Sequence, residues 1–496
     1  MRKLKLSLFG LLVLGLIANA QDKTAVKYAN TITPEDMRSK LSILASDEFG
    51  GRETGTEGQK KASRFLEEFY QRIGLEGPAN GTYRQKFDMY QSDWSDVYIK
   101  TRSGKKANGK DIIFLGYANM AKEEKLDAVY VGKKTDFAGM DLNGKAVVAM
   151  AGDRATVGKL IEAGAKAVMI MANDDDQFTQ TLPRQARAFM MGRLRFDKEY
   201  KGDPSMTFYL TQAIAADMFK ASVEDLNANA ETPEKIKTGT VRVFAKEKIN
   251  TINTENMVAF LEGTDLKDEV LVISSHYDHI GQNEDGTVIN NGADDDGSGT
   301  TGVMEIAEAF AQAAKEGHRP RRSILFLNVT GEEKGLLGSA YYADNPLFPL
   351  ENTVNNLNID MIGRIDPEHE KSGNRDYVYV IGSEKLSSHL KVISEFANIT
   401  YTNLDMDYRY DDPNDRNRFY YRSDHYNFAK KGIPIIFYFN GTHADYHRPT
   451  DTVDKIAFDV MAKRAQLVFH TAWILANRDQ RTPVDREDDM DYGSRD

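Results

Sequence analysis

Residues 274–300 read SSHYDHIGQNEDGTVINNGADDDGSGT, and the reading of this stretch decides the fold. It leaves an apolar run, Val270 to Ile273, that has the character of a buried strand. It then crosses a loop carrying His276, Asp278 and three consecutive aspartates, and ends in a Gly-Ser-Gly that opens a helix. An imidazole and several carboxylates, delivered where a strand stops, suit a divalent cation of the zinc type.

Outward from this loop the pattern repeats. After Asn256, apolar runs appear at MVAFLEG, EVLVISS, SILFLNVT, NLNID, YVYVIG and IPIIFYF. Helical periodicity lies between several of them, notably over 302–314, where Val303, Ile306, Ala307, Phe310 and Ala314 share a face, and over 386–397. Strands alternating with helices predict an α/β sheet covered on both faces, with ligands at the carboxyl ends of the strands. Four further polar groups fall at such ends. Glu332 and Glu333 follow SILFLNVT, Asp360 closes NLNID, and His447 follows IPIIFYF after a short loop.

The chain of 496 residues is too long for one ordinary core, which predicts two domains. Its net charge of -11 and lack of a basic patch argue against a nucleic-acid or anionic-membrane partner. With no cysteine, disulfides, thiolate ligands and a thiol nucleophile are all excluded. Residues 1–20 carry Arg2, Lys3 and Lys5 ahead of an apolar run from Leu6 to Ile17 and then Ala-Asn-Ala. This is a signal-peptide pattern, cleaved before Gln21, and the run is short of the roughly 20 residues a membrane anchor needs. The expectation is therefore an exported protein, periplasmic or extracellular, without a membrane anchor.

Before the α/β pattern, Thr33 caps a predicted helix from Pro34, and a second runs from about Gln59 to Ile73. The link between them, GGRETGTEG, reads as a solvated turn, with entry of its charged residues into an active-site rim as the alternative. From about Asp111 to Val243 the texture changes to short β-rich runs such as AVYVGK and KAVVAMAG, separated by turns. That region contains no histidine, since all nine lie between His276 and His470. Chemistry through imidazole therefore belongs to the later part. The last residues, VDREDDMDYGSRD, are acidic and lack apolar periodicity, which predicts a disordered tail.

The pieces HYDHIG (276–281), GADDDGSG (292–299), TGEEKGLLGS (330–339), NIDMIGR (358–364), SDHYNFAKKGIP (423–434) and YHRPTDT (446–452) carry a resemblance. In this order they resemble the secreted dizinc exopeptidases of the bacterial leucyl-aminopeptidase type. Similarly, VYVG and MDLNGKAVVAMAG resemble pieces of a protease-associated domain. The resemblance implies a three-layer αβα fold with a mixed central sheet and an inserted β-rich domain. The boundaries it suggests are 21–105 for the first part of the catalytic domain, 106–248 for the insert, 249–478 for the catalytic domain and 479–496 for the tail.

Carried over residue by residue, the resemblance makes Asp295 the carboxylate that bridges two divalent metal ions, expected to be zinc. His276 and Asp360 would serve the first ion, Glu333 and His447 the second. Asp278 would hydrogen-bond the far nitrogen of His276, and Asp296 would cap the following helix. Two ions about 3.5 to 4 Å apart can share a water and make it acidic enough to supply hydroxide at neutral pH. Glu332, whose side chain points away from that of its neighbour Glu333, is left free as the general base. Tyr446 is a candidate donor to the developing oxyanion, with Tyr421 as competitor and simple packing as the alternative. His279 and His425 are expected in supporting roles; His318, His369, His389, His443 and His470 are expected on loops or helix surfaces.

The expected function is an aminopeptidase acting on peptides or small proteins. The alternatives are a carboxypeptidase, with Arg364, Arg422 or Arg448 receiving the substrate's carboxylate, a glutaminyl cyclase on one zinc, or a non-catalytic binding module.

Overall fold

The computed structural model describes residues 21–150, 153–199 and 205–487. The expected leader, 1–20, and the end of the chain, 488–496, lie outside the described residues. The chain divides into two compact units, one built from the residues up to Phe87 and from Asn253 onward, the other from Asp88–Ile252. Among the described residues, no helix is long and apolar enough to cross a membrane.

Strands of the first unit include β1 (Lys248–Leu261, of which residues 253–261 belong to this unit), β2 (Leu266–His276), β3 (Arg322–Val329), β4 (Thr353–Ile359), β5 (Tyr377–Ile381), β6 (Asp405–Asp407) and β7 (Ile435–Phe439). They lie in the order β6-β5-β7-β4-β2-β3-β1. The pairs β2–β3, β2–β4, β4–β7 and β5–β6 are parallel, whereas β1–β3 and β5–β7 are antiparallel, so the sheet is mixed.

Side-chain alternation assigns each strand residue to one of two cores. Leu271 and Ile273 of β2, Ile324 and Phe326 of β3, and Leu357 and Ile359 of β4 join one buried cluster. Val270, Val272, Leu325 and Leu327 join another on the opposite face. The first is closed by α1 (Lys23–Ala29), α2 (Pro34–Leu44), α3 (Glu57–Ile73), α4 (Gly297–Lys315) and α8 (Phe458–Asn477). The second includes Tyr342 of α5 (Leu337–Asp344) and Phe428 of α7 (His425–Ala429). This is the three-layer arrangement expected of strands that are apolar on both faces.

The second unit carries an eight-stranded sheet, in the order 104–107, 97–101, 239–245, 124–132, 146–149, 167–171, 206–210 and 113–116. Its limits are wider than the expected 106–248. Val97–Thr101 pairs with Gly239–Ala245, and that ladder draws the residues before 106 into this unit.

Two other expectations shift. The helix expected over 386–397 is α6 (Leu390–Ala397), because the amide and hydroxyl of Ser388 are spent on Asp485 at 2.8 and 2.6 Å. The same contacts anchor part of the expected tail. Arg481 donates to the carbonyls of Glu351 and Thr353 at 2.6 and 2.8 Å, and Thr482 donates to Asn355 at 2.9 Å.

Candidate metal centre

Sheet register brings the first two ligand candidates together. Parallel β2 and β4 oppose Ser274 to Asn358, so two residues further on His276 and Asp360 leave neighbouring strand ends on the same face. His276 Nε2 lies 3.6 Å from Asp360 Oδ1 and 3.3 Å from Asp295 Oδ1. On the other side β3 pairs with β2 up to Val329 opposite His276, and the turn that follows delivers Glu332 and Glu333. Glu332 Oε2 is 3.9 Å from His276 Nε2.

The three aspartates divide their labour. Asp294 Oδ1 accepts from the Gly363 amide at 2.7 Å and the Ser298 hydroxyl at 2.9 Å. Asp296 Oδ1 caps α4 through the Gly299 amide at 2.8 Å and accepts from the Met361 amide at 3.0 Å, while its Oδ2 faces the His276 amide at 3.2 Å. Gly299 is obligatory there, since a β-carbon would meet Asp296 Oδ1 at 2.3 Å and the Ile359 carbonyl at 2.6 Å. Of the three, the middle carboxylate is the one that faces His276 and His447. Asp295 turns Oδ1 to His276 and Oδ2 to His447 Nε2, 3.0 Å away, and Glu333 Oε2 lies 3.1 Å from the same nitrogen.

His447 has φ +57 and Met361, which follows Asp360, has φ +58. Left-handed backbone at a residue other than glycine costs about 1–3 kcal/mol and persists where the surroundings impose it. His447 is itself a ligand candidate, and Met361 adjoins one.

The acids and imidazoles of this cluster act strongly on one another. Burial works against the carboxylate of Asp295, yet His276 and His447 outweigh it and hold Asp295 well below the usual range. Burial also opposes protonation of His447, yet Asp295 and Glu333 push it up to about 10. Glu332 moves the other way, raised first by burial and then by neighbouring acids. Several carboxylates thus crowd two imidazoles in a buried site. His276 Nε2 and Asp295 Oδ2 are buried and make no hydrogen bond. Such a donor set fits divalent ions. The nitrogen and oxygen atoms of His276, Asp295 and Asp360 lie within 4.8 Å of one another, as do those of His279, Asp295 and Glu333.

That second grouping brings in His279, to which the sequence assigns only a supporting place. It is fully buried, with Nδ1 2.8 Å from Glu333 Oε1 and 3.8 Å from Asp295 Oδ2. His447 reaches the other oxygen of Glu333 and sits closer to Asp295, so it is the better first ligand, with His279 behind Glu333.

Asp278 departs from expectation in detail. The atom 3.1 Å from His276 Nδ1 is the main-chain oxygen of Asp278; its carboxylate is 3.7 Å away and instead accepts from Thr54 and from the Glu332 amide. Three histidines expected at the surface are buried. His369 stacks on Tyr377 and meets Asp366 at 2.8 Å, His443 meets Asp294 at 3.2 Å, and His470 stacks on Tyr401. Each has a flat partner or an acid to satisfy it, which one-dimensional spacing cannot reveal.

Asp451, inside the quoted YHRPTDT piece but assigned no role there, accepts from the amides of Asp294 and Asp295 at 3.0 and 3.2 Å. It holds the aspartate run in place from 156 residues away.

The mouth of the site is marked by exposure. His447 remains 38% exposed and Glu332 and Asp360 11% each, against 1% for His276. A cavity opens there, bounded by Asp295, Glu332 and Asp360 on the acidic side and by Phe419, Phe437 and Phe439 on the apolar side, with Tyr446 and Arg422 at its rim. The Tyr446 ring stacks on His447, and its hydroxyl accepts from Arg422 at 3.3 Å. Tyr421 packs edge-on against Tyr420 and Tyr426.

Fold and donors together define a metallohydrolase-type centre with two ligand sets at the strand ends of a mixed α/β sheet. Residues 256–472 match peptidase family M28. A probable zinc metalloprotease of Leptosphaeria maculans is 28% identical over 261 residues, covering 45% of this chain and 58% of that protein. A probable aminopeptidase of Saccharomyces cerevisiae is 27% identical over 221 residues, covering 43% and 55%. The chain spans about half the length of the curated relatives it matches. An aminopeptidase from an Aneurinibacillus strain shares the fold with a TM-score of 0.57 at 20% identity, over 94% of this chain and 98% of that one.

Proposed function

We propose that this chain is an exported metallo-exopeptidase, an aminopeptidase that releases N-terminal residues from peptides with two divalent ions, zinc by analogy with its relatives. The observation that carries the reading is that His276 meets Asp295 Oδ1 and Asp360 while His447 meets Asp295 Oδ2 and Glu333, with Glu332 beside them on the same cavity. His276, Asp360 and Asp295 would hold one ion, and His447, Glu333 and Asp295 the other. When bound, the ions supply Lewis acidity and lower the pKa of a water.

The remaining steps belong to the chain. Glu332 takes a proton from the attacking water and passes it to the leaving amine. The Tyr446 hydroxyl donates to the carbonyl oxygen as charge builds there. Phe419, Phe437 and Phe439 receive an apolar side chain of the substrate and exclude water from it. The unit 88–252 is, in this proposal, an inserted protease-associated domain.

One peptide in three forms tests the direction of attack. With a free N-terminus it is expected to be cleaved, with an acetylated N-terminus it is not, and amidation of the C-terminus leaves the rate unchanged. Arg422 favours a second reading, because it reaches the cavity rim and pairs with no carboxylate among the described residues, whereas Arg364 is engaged by Asp445 at 2.9 Å. Loss of cleavage on amidation would turn the assignment to a carboxypeptidase.

Tyr446→Phe is expected to lower kcat about 10²-fold, the effect of removing one donor to an oxyanion, with KM little changed. Equal turnover by the phenylalanine variant would reduce Tyr446 to a packing aromatic against His447.

A further inference from the structure

The link GGRETGTEG, expected as a solvated turn, is built into the metal centre. Arg52 is fully buried. Its Nε donates to the Tyr277 carbonyl at 2.9 Å, Nη1 to those of Leu44 and Asn291 at 3.0 and 2.6 Å, and Nη2 to that of Gly292 at 2.9 Å. Tyr277 stands between His276 and Asp278, and Gly292 stands two residues before the aspartate run. One guanidinium thus grips both ends of the loop that presents His276 and Asp295. No carboxylate pairs with it among the described residues, although Asp295, Asp278, Asp296 and Asp451 are the acids whose charge acts on it.

The backbone adds an independent observation. Gly50, Gly51 and Arg52 have φ of +53, +69 and +51. The first two positions hold glycine, which adopts this region freely, but the third does not. A strained arginine at the one position where glycine would be easier means the side chain, not the turn, is required there.

Thr54 makes the second connection. Its hydroxyl donates to Asp278 Oδ2 at 2.8 Å and accepts from the Gly331 amide at 3.0 Å, while Asp278 Oδ1 accepts from the Glu332 amide at 3.3 Å. Glu53 pairs with Lys334 at 2.9 Å. The turn therefore joins the loop after β2 to the turn after β3, and these two segments must keep a set spacing if one carboxylate is to serve two ions.

We propose that Arg52 and Thr54 are positioning residues of the metal centre: Arg52 clamps the loop carrying His276 and Asp295, and Thr54 locks that loop, through Asp278, to the turn carrying Glu332 and Glu333. The inference rests on the two-metal reading of the site. Groups that orient ligands in this way change metal affinity by about 10- to 100-fold when removed.

The test titrates the metal-free mature chain with cobalt(II), following its visible absorption and competing with a chelator. Wild type, Arg52→Gly, Arg52→Lys and Thr54→Val are compared. Arg52→Gly relieves the backbone while deleting the clamp, and is expected to bind cobalt about 10- to 100-fold more weakly with an altered spectrum. Millimolar guanidinium is expected to restore part of that affinity in Arg52→Gly and none in Thr54→Val. Lysine keeps the charge but not the fork, and is expected to fall between glycine and wild type. Thr54→Val preserves shape, so it tests the lock even if the arginine variants fail to fold. Wild-type cobalt affinity and spectrum in Thr54→Val, or in a folded Arg52→Gly, would overturn the proposal. A wild-type chain that takes up fewer than two cobalt ions would instead overturn the reading of the site on which it rests.

Discussion

Glu332→Gln is expected to lower kcat by about 10² to 10⁴, the usual contribution of a general base, while leaving metal content and thermal stability as they are. Glutamine keeps the shape of the side chain, and the amide of residue 332 still reaches Asp278. What disappears is the ability to accept and return a proton. The pH profile carries the same signature. A general base must be deprotonated to work, so activity in the parent falls as pH drops through the pKa of Glu332. In the glutamine variant that acidic limb is lost and the residual rate is flat there. Unchanged turnover, or an unchanged acidic limb, would remove Glu332 from its role.

The second large effect belongs to Asp295. Its two oxygens face different imidazoles, Oδ1 toward His276 at 3.3 Å and Oδ2 toward His447 at 3.0 Å, so this one carboxylate touches both proposed ligand sets. Asp295→Asn replaces one oxygen by an amide group that cannot bind a cation and removes the negative charge between two dications. Both ions are expected to be lost from the purified protein. With several kcal/mol of transition-state stabilisation gone, the rate is expected to fall by about 10³ to 10⁵. Elemental analysis alongside kinetics checks this. Two ions retained per chain with a small loss of rate would show that the carboxylate is not the bridge.

Much of this site was legible in the sequence because it is delivered by strand ends. Apolar runs of five to eight residues mark buried strands, and the first polar residue after each run lies at the carboxyl edge of the sheet. His276, Asp360 and the Glu332–Glu333 pair are read that way, and parallel register then does the rest. The roles inside the aspartate run were open from spacing alone and came from the family resemblance. In the structure Asp294 and Asp296 are spent on backbone amides and Asp295 is not.

What stayed hidden depends on partners far apart in the chain. Arg52 reads as a surface charge in a glycine-rich link, and nothing local shows that it reaches carbonyls 225 and 240 residues away. Asp451 is hidden for the same reason. His369 and His470 look like isolated surface histidines until Tyr377 and Tyr401 are laid against them. The second unit starts earlier than the sequence suggested because Val97–Thr101 pairs with Gly239–Ala245, a ladder between distant segments that turn signals do not reveal.

Anomalous diffraction at the zinc absorption edge, from a crystal of the mature protein grown without added chelator, tests the central claim most directly. Two peaks are expected on either side of the Asp295 carboxylate, one among His276 and Asp360 and the other among Glu333 and His447. A single peak, or none at Asp295 in protein that cleaves peptides, would contradict the two-metal centre.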